Sequence, residues 1–161
     1  MRAAVLTVSD RVSAGEAEDG SGAVLESLLR ADGYEVARRL VADQRHDIAR
    51  AIAELAVDAE VVLTTGGTGL SPRDVTPEAT REALEREAPG ISQALRADSI
   101  SKTPHGMLSR GTAGTIGRTL VVNLAGSPGA CRDGYAVIAP ALAHALRLLA
   151  DAPSATDHVH T

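Results

Sequence analysis

Val61-Val-Leu-Thr-Thr-Gly-Gly-Thr-Gly-Leu-Ser-Pro-Arg-Asp-Val-Thr-Pro-Glu-Ala-Thr80 is the stretch on which the fold turns. It opens with an apolar, β-type run at 61–65. Three glycines follow within four positions, Gly66, Gly67 and Gly69. Thr76-Pro77-Glu78 then reads as the mouth of a helix, with Thr76 a good N-cap and Pro77 a good first helical residue. Strand, glycine turn and helix start are the parts of an anion site. Without a Cβ, backbone N–H groups can turn toward a ligand at no steric cost. A helix N-terminus adds orphan donors and a favourable dipole. The carboxylates of Asp74 and Glu78 repel a bound phosphate unless a metal or a proton intervenes. That conflict points to Mg²⁺-assisted phosphate chemistry, with hard carboxylate oxygen as the ligand. The alternative is a tight βα turn carrying a surface acid.

The stretch is not a standard nucleotide loop. A P-loop requires G-x-x-x-x-G-K-[ST], and no lysine follows these glycines. A dinucleotide fingerprint requires G-x-G-x-x-G, and Pro72 stands where the third glycine would fall.

Outward from this stretch, short apolar runs alternate with helical patterns. Residues 3–8 form a continuous apolar run, as in a strand buried on both faces. Residues 9–20 read as a polar loop, and Ser21 or Asp19 can cap a helix to about residue 32. Gly33 suits its end. A second strand is predicted at 34–41. Asp43 follows it and can cap a helix at about 45–57. After the glycine turn, a helix at 76–87 is predicted to stop at Pro89-Gly90, with another at 91–101. Residues 107–116 read as a strand or irregular hairpin, 119–124 as a last buried strand, and Gly126-Ser127-Pro128-Gly129 as a second glycine turn before a helix. Pro140 kinks or restarts that helix. Strands alternating with helices predict an α/β fold. The expectation is a single three-layer domain over residues 1–150, with a mostly parallel sheet flanked by helices. Residues 151–161 are predicted to be a polar, mobile tail. In such sheets ligands bind beyond the carboxyl ends of the strands, where 9–20, 42–44, 66–76 and 126–129 would meet.

Composition narrows the function. The 161 residues include two aromatics, Tyr34 and Tyr135, so the core must be aliphatic and a flat ligand must be held by hydrogen bonds rather than stacking. The net charge of −5 and the lack of a basic patch speak against nucleic acid. A single cysteine, Cys131, allows no internal disulfide and suggests no zinc cluster. It reads as a small apolar residue of the last helix. No signal-like segment or ~20-residue apolar span is evident, so a cytoplasmic protein without membrane contact is expected. His46, His105 and His144 are scattered, and His158 and His160 fall in the tail.

Thr-Thr-Gly-Gly-Thr-Gly followed by Arg-Asp-Val-Thr-Pro-Glu-Ala-Thr resembles the Mog/MoaB family of molybdenum-cofactor biosynthesis proteins. That family includes the G domain of plant Cnx proteins and gephyrin. Thr7-Val8-Ser9-Asp10-Arg11, Leu108-Ser109-Arg110-Gly111 and Asn123-Leu-Ala-Gly-Ser-Pro-Gly129 carry the same resemblance, which spans about residues 2–150. It implies a molybdopterin-binding, MogA/MoaB-like fold. It also implies adenylylation of molybdopterin with ATP as co-substrate and Mg²⁺ as cofactor, releasing pyrophosphate. The alternative is a MoaB-like molybdopterin-binding protein or trimeric scaffold without transfer activity. The unbroken Arg73–Thr80 motif favours the active side.

By the same resemblance, Asp43 and Asp74 are the catalytic and metal-holding pair, although each could be a capping or solvated acid. Thr65, Gly66, Gly67, Thr68 and Gly69 would cradle a phosphate. Ser9, Asp10 and Arg11 would line the pocket, rather than form a cap and a surface ion pair. Ser109 and Arg110 would contact an anion, and Gly126, Ser127 and Pro128 would form a second anion turn. Glu78 would lie near the site, although a first-turn acid is common on dipole grounds alone. The family usually has Leu-Pro-Gly where this chain has Leu124-Ala125-Gly126, which loosens that turn but keeps its N–H groups. Arg73 and Lys102 are further charge partners. The resemblance also implies a homotrimer, with trimers pairing into hexamers in some members, and other molybdenum-cofactor enzymes as partners.

Overall fold

Strand β1 (Arg2–Val8) is buried at every position after its first residue, as its unbroken apolar run requires. In the computed structural model, which describes residues 1–151, it lies one strand in from an edge of a six-stranded sheet. The tail, with His158 and His160, falls outside the described residues apart from Asp151. The other strands are β2 (Glu35–Val41), β3 (Val61–Thr65), β4 (Arg86–Glu87), β5 (Ala113–Ile116) and β6 (Thr119–Leu124). Their order is β2-β1-β3-β6-β5-β4. The first four in that order run parallel; β5 is antiparallel to β6 and β4 to β5.

Helices cover both faces. They are α1 (Asp10–Ser13), α2 (Gly20–Ala31), α3 (Arg45–Asp58), α4 (Thr76–Ala83), α5 (Pro89–Lys102) and α6 (Pro128–Leu149), with a 3₁₀ turn at Pro104–Leu108. Leu25 and Leu29 of α2 and Ile138, Leu142 and Leu146 of α6 pack on Val5, Leu63 and Val122. Ile48, Ile52 and Leu55 of α3 and Ala79 of α4 pack on Leu6, Val62 and Val121 from the other side. Each fully buried Leu or Ile contributes ~1.5–3 kcal/mol, so two aliphatic layers hold the sheet without Phe or Trp.

This arrangement sets where ligands can enter. The connection after β1 leads to α2 on one face, the connection after β3 to α4 on the other, and that after β6 to α6 on the first again. β3 is therefore flanked on both sides by strands whose connections leave the opposite face. Crevices open at such reversals, beyond the carboxyl ends. The glycine turn after β3 stands between two of them.

Several boundaries differ from the sequence expectation for local reasons. Thr76 is the first residue of α4 rather than its cap; Val75 takes the cap position, and the Thr76 hydroxyl donates to Gly66 O at 3.0 Å across the turn. α4 ends at Ala83 instead of running to about 87, because the next segment joins the sheet: Glu85 N donates to Thr115 O and Ala88 N to Ala113 O. Pro89 opens α5. Pro140 lies inside α6 without dividing it. Asp43 does not cap α3; Gln44 holds that position without a side-chain bond, and the Asp43 carboxylate is engaged elsewhere.

Candidate active site at the strand ends

The loops after β1 and β2 are joined by a reciprocal pair of bonds. Asp10 N donates to Asp43 Oδ2 at 2.9 Å, and Asp43 N donates to Asp10 Oδ1 at 2.9 Å. Arg73 reaches over from the glycine loop, its Nε and Nη2 donating to Asp10 Oδ2 at 3.0 and 2.8 Å. The Asp43 N–H and then the Arg73 guanidinium hold the Asp10 carboxyl below its usual range. Asp43 goes the other way. Burial raises its pKa, and the nearby Asp10 and Asp74 carboxylates add to the rise, opposed by the Asp10 N–H and by Arg73.

The glycine turn runs between Asp43 and Asp74. Gly66 and Gly67 have φ of +100° and +68°, a region that side chains rarely enter. A Cβ on Gly66 would stand 2.3 Å from Val8 O, and one on Gly67 would stand 2.4 Å from Thr76 Oγ1 and 3.2 Å from Asp43 Oδ1. A Cβ on Gly69 would stand 2.9 Å from Asp74 Oδ2. Gly66 and Gly67 are thus required by the protein's own backbone, whatever they offer a ligand, whereas at Gly69 only the end of the Asp74 side chain would have to shift. Gly66 N–H donates to Leu124 O at 3.2 Å. The N–H groups of Gly67, Thr68 and Gly69 have no acceptor among the described residues. Asp74 is fixed by its own short turn: Ser71 N donates to its Oδ2 at 3.1 Å and its N donates to Ser71 O at 2.9 Å.

The second glycine turn touches the first, since a Cβ on Gly126 would stand 3.2 Å from the Gly66 Cα. Thr65 Oγ1 donates to Ala125 O at 2.8 Å. Ser127 caps α6, its Oγ accepting from Ala130 N at 3.1 Å, and Pro128 takes the first helical position. Ser9 caps α1 in the same way, accepting from Val12 N at 3.2 Å. Ser9, Thr65, Gly66, Gly126 and Pro128 line a hollow of about 240 Å³ at the β1–β3 crevice. Arg11 stands exposed on α1 beside it. On the α5–α6 side, Ser109, Gly111, Asn123, Ala125 and Gly129 line a cavity of about 370 Å³. Arg110 and Glu78 form an ion pair above the Asp74 loop. Burial pushes the Glu78 carboxyl up, but the guanidinium outweighs it and holds the group below its usual range.

Most of the sequence-selected residues therefore gather at the carboxyl ends of the parallel strands. Asn123 stood at the head of a recognised stretch, but the sequence reading gave it no role. Its amide donates to Thr64 Oγ1 and Thr80 Oγ1, both at 2.9 Å, and its carbonyl accepts from Thr112 N at 3.1 Å. One buried side chain thus ties β3, α4 and the approach to β5 behind the glycine turn. A lone Asn in an apolar strand was the available signal. Lys102 pairs with Asp98 and Asp133 at the mouth of the larger cavity.

The donor set bears on the metal. Among the described residues no three acidic, His or Cys side chains converge as a metal cage. Asp43 and Asp74 flanking one turn fit Mg²⁺, which binds through one or two carboxylates and completes its shell with phosphate oxygens and water.

A family described as "Probable molybdopterin binding domain" matches residues 4–144. The chain is 40% identical over 161 residues to the molybdenum cofactor synthesis protein cinnamon of Drosophila melanogaster, covering 97% of this chain and 27% of that protein. It is 34% identical over 150 residues to a molybdopterin adenylyltransferase of Helicobacter pylori, covering 90% of this chain and 85% of that enzyme. The chain spans less than half the length of the first curated relatives it matches, at 27%, 23% and 48%. Among solved structures it superposes on the molybdopterin biosynthesis enzyme MoaB of Thermus thermophilus with a TM-score of 0.87 and 43% identity, covering 95% and 98% of the two chains.

Proposed function

The chain belongs to the molybdopterin-binding family of molybdenum-cofactor biosynthesis, and from that premise we propose that it adenylylates molybdopterin at the strand-end site. The terminal phosphate of molybdopterin attacks the α-phosphate of ATP. A P–O bond forms there, the bond to the β-phosphate breaks, and pyrophosphate leaves. Both reactants are anions, so catalysis lies in positioning and charge stabilisation rather than in covalent help. Asp43 and Asp74 would hold Mg²⁺, which would supply positive charge to screen the phosphates. The N–H groups of Gly67, Thr68 and Gly69 donate to a phosphate, and the Gly126–Ser127–Pro128 turn helps seat nucleotide or pterin. No aromatic side chain lines either hollow, so the pterin is held by hydrogen bonds from side chains and backbone rather than by stacking.

The observation that carries this reading is the passage of a glycine turn with unused N–H groups between two carboxylates, one of them with a raised pKa. Perturbed acids concentrate where charge is handled. We further propose that the working unit is a homotrimer.

The test is pyrophosphate release from Mg-ATP with and without molybdopterin. Release that depends on molybdopterin is the expected result. Molybdopterin binding without release would instead identify a MoaB-like binding protein or scaffold, and would overturn the reaction.

A further inference from the structure

Three hydrogen bonds converge from one residue on the loop that carries Asp74, and a fourth reaches the helix that follows it. Arg110 N donates to Thr68 O at 2.8 Å. Its Nε donates to Gly69 O at 2.8 Å and its Nη2 to Asp74 O at 2.6 Å, while Nη1 pairs with Glu78 Oε1. The segment bearing Arg110 is itself anchored. Arg96 Nη1 donates to Ser109 O at 2.9 Å, and Thr112 N donates to Asn123 Oδ1 at 3.1 Å. By contrast, Ser71 and Asp74 bond mainly to each other. A guanidinium presents its N–H groups in a rigid fork, so it can set the separation of several acceptors at once. Here two of those acceptors are the carbonyls of Gly69 and Asp74, one at each end of the loop's outer bend.

We propose that Arg110, braced by Glu78, is a positioning residue that fixes the backbone of Gly69 and Asp74, and so places the Asp74 carboxylate without touching the reacting phosphates. The kinetic test rests on the adenylyl-transfer reading; the structural test does not. Arg110→Ala should lower kcat for pyrophosphate release by about 10–100-fold, the scale on which a small misplacement of a reacting group is felt. KM for ATP and for molybdopterin should stay within about threefold. Arg110→Lys should recover little, because the three donors of an ammonium sit on one nitrogen and cannot span acceptors that the guanidinium reaches from three. The double variant Arg110→Ala/Asp74→Asn should be no slower than Asp74→Asn alone, since both changes act through one group. In hydrogen exchange, the Asp74 and Thr76 amides of Arg110→Ala should exchange at least roughly tenfold faster, with β1 and β3 unchanged. Should Arg110→Ala not fold, Glu78→Gln loosens the brace and carries the same comparisons with a smaller loss.

Multiplied losses in the double variant, or a raised KM at constant kcat, would overturn the proposal and place Arg110 on the substrate. Unchanged exchange at Asp74 and Thr76 would overturn it whatever the activity. If the wild-type protein releases no pyrophosphate, the proposed reaction fails, and the exchange data alone decide the clamp.

Discussion

Asp43 carries a cost for its position. Its carboxylate is partly buried, accepts the Asp10 N–H and faces the carboxylates of Asp10 and Asp74. Its pKa is raised, so the folded state binds the Asp43 proton more tightly than the unfolded state does. The stabilisation this gives is fully present below the unfolded value of 3.8 and is lost as pH rises through the folded value. Asp10 has the opposite sign: its pKa is lowered, so its contribution is present above 3.8 and lost on acidification. Asp43→Asn keeps the acceptor for Asp10 N and removes the charge. We expect its Tm at pH 7 to exceed wild type by about a degree or two, a modest gain because solvent screens a partly exposed group. The gain should vanish below pH 3.8, where both side chains are neutral. Thermal melts from pH 3 to 7 test this. An equal loss of Tm at every pH would mean that the carboxylate is a structural acceptor rather than a charge held for function. From sequence, Asp43 could be a cap or a site residue. The choice between them depended on Asp10, 33 positions away, which no local pattern pairs with it.

At the scale of elements, the parallel strands were legible because burial on both faces demands unbroken apolar runs, as at Val61–Thr65. The first glycine turn was legible because a strand-to-helix reversal at positive φ, as at Gly66 and Gly67, admits little else. The full reason for individual glycines was not. Gly67 was read as a glycine for its N–H donor and its positive φ; its φ of +68° agrees, and Thr76 Oγ1 gives a further reason that no local pattern shows. Element ends were read poorly wherever tertiary pairing overrode local propensity. Residues 84–88 form a helical continuation by composition, but β5 supplies acceptors at Thr115 and Ala113 and draws the chain into the sheet. Arg110 shows the same limit. The family resemblance implied an anion contact for Arg110, whereas in the fold it is half-buried, and its four bonds to residues 68–78 become visible only when two distant segments meet.

Across the whole molecule, the strand order places the glycine turn between two crevices, and the two glycine turns in contact. Among the described residues no helix is long and apolar enough to cross a membrane. Leu70, Met107, Leu108 and Leu148 are exposed apolar side chains that assembly could cover. Light scattering at micromolar concentration should find a trimer or a pair of trimers; a monomer would contradict that assembly. Asp74 lies on the turn, where its carboxylate either acts on the phosphates or only shapes the loop through Ser71. Asp74→Asn keeps size and hydrogen-bonding form, so it should fold, assemble and bind molybdopterin as wild type does. The decisive measurement is its rate of pyrophosphate release across a Mg²⁺ titration, beside a thermal melt. The expected result is a fall of at least ~10²-fold with an unchanged Tm, partly recovered at high Mg²⁺ if Asp74 holds the metal. A wild-type rate with a lowered Tm would contradict the catalytic role and leave Asp74 as a residue that only shapes its turn.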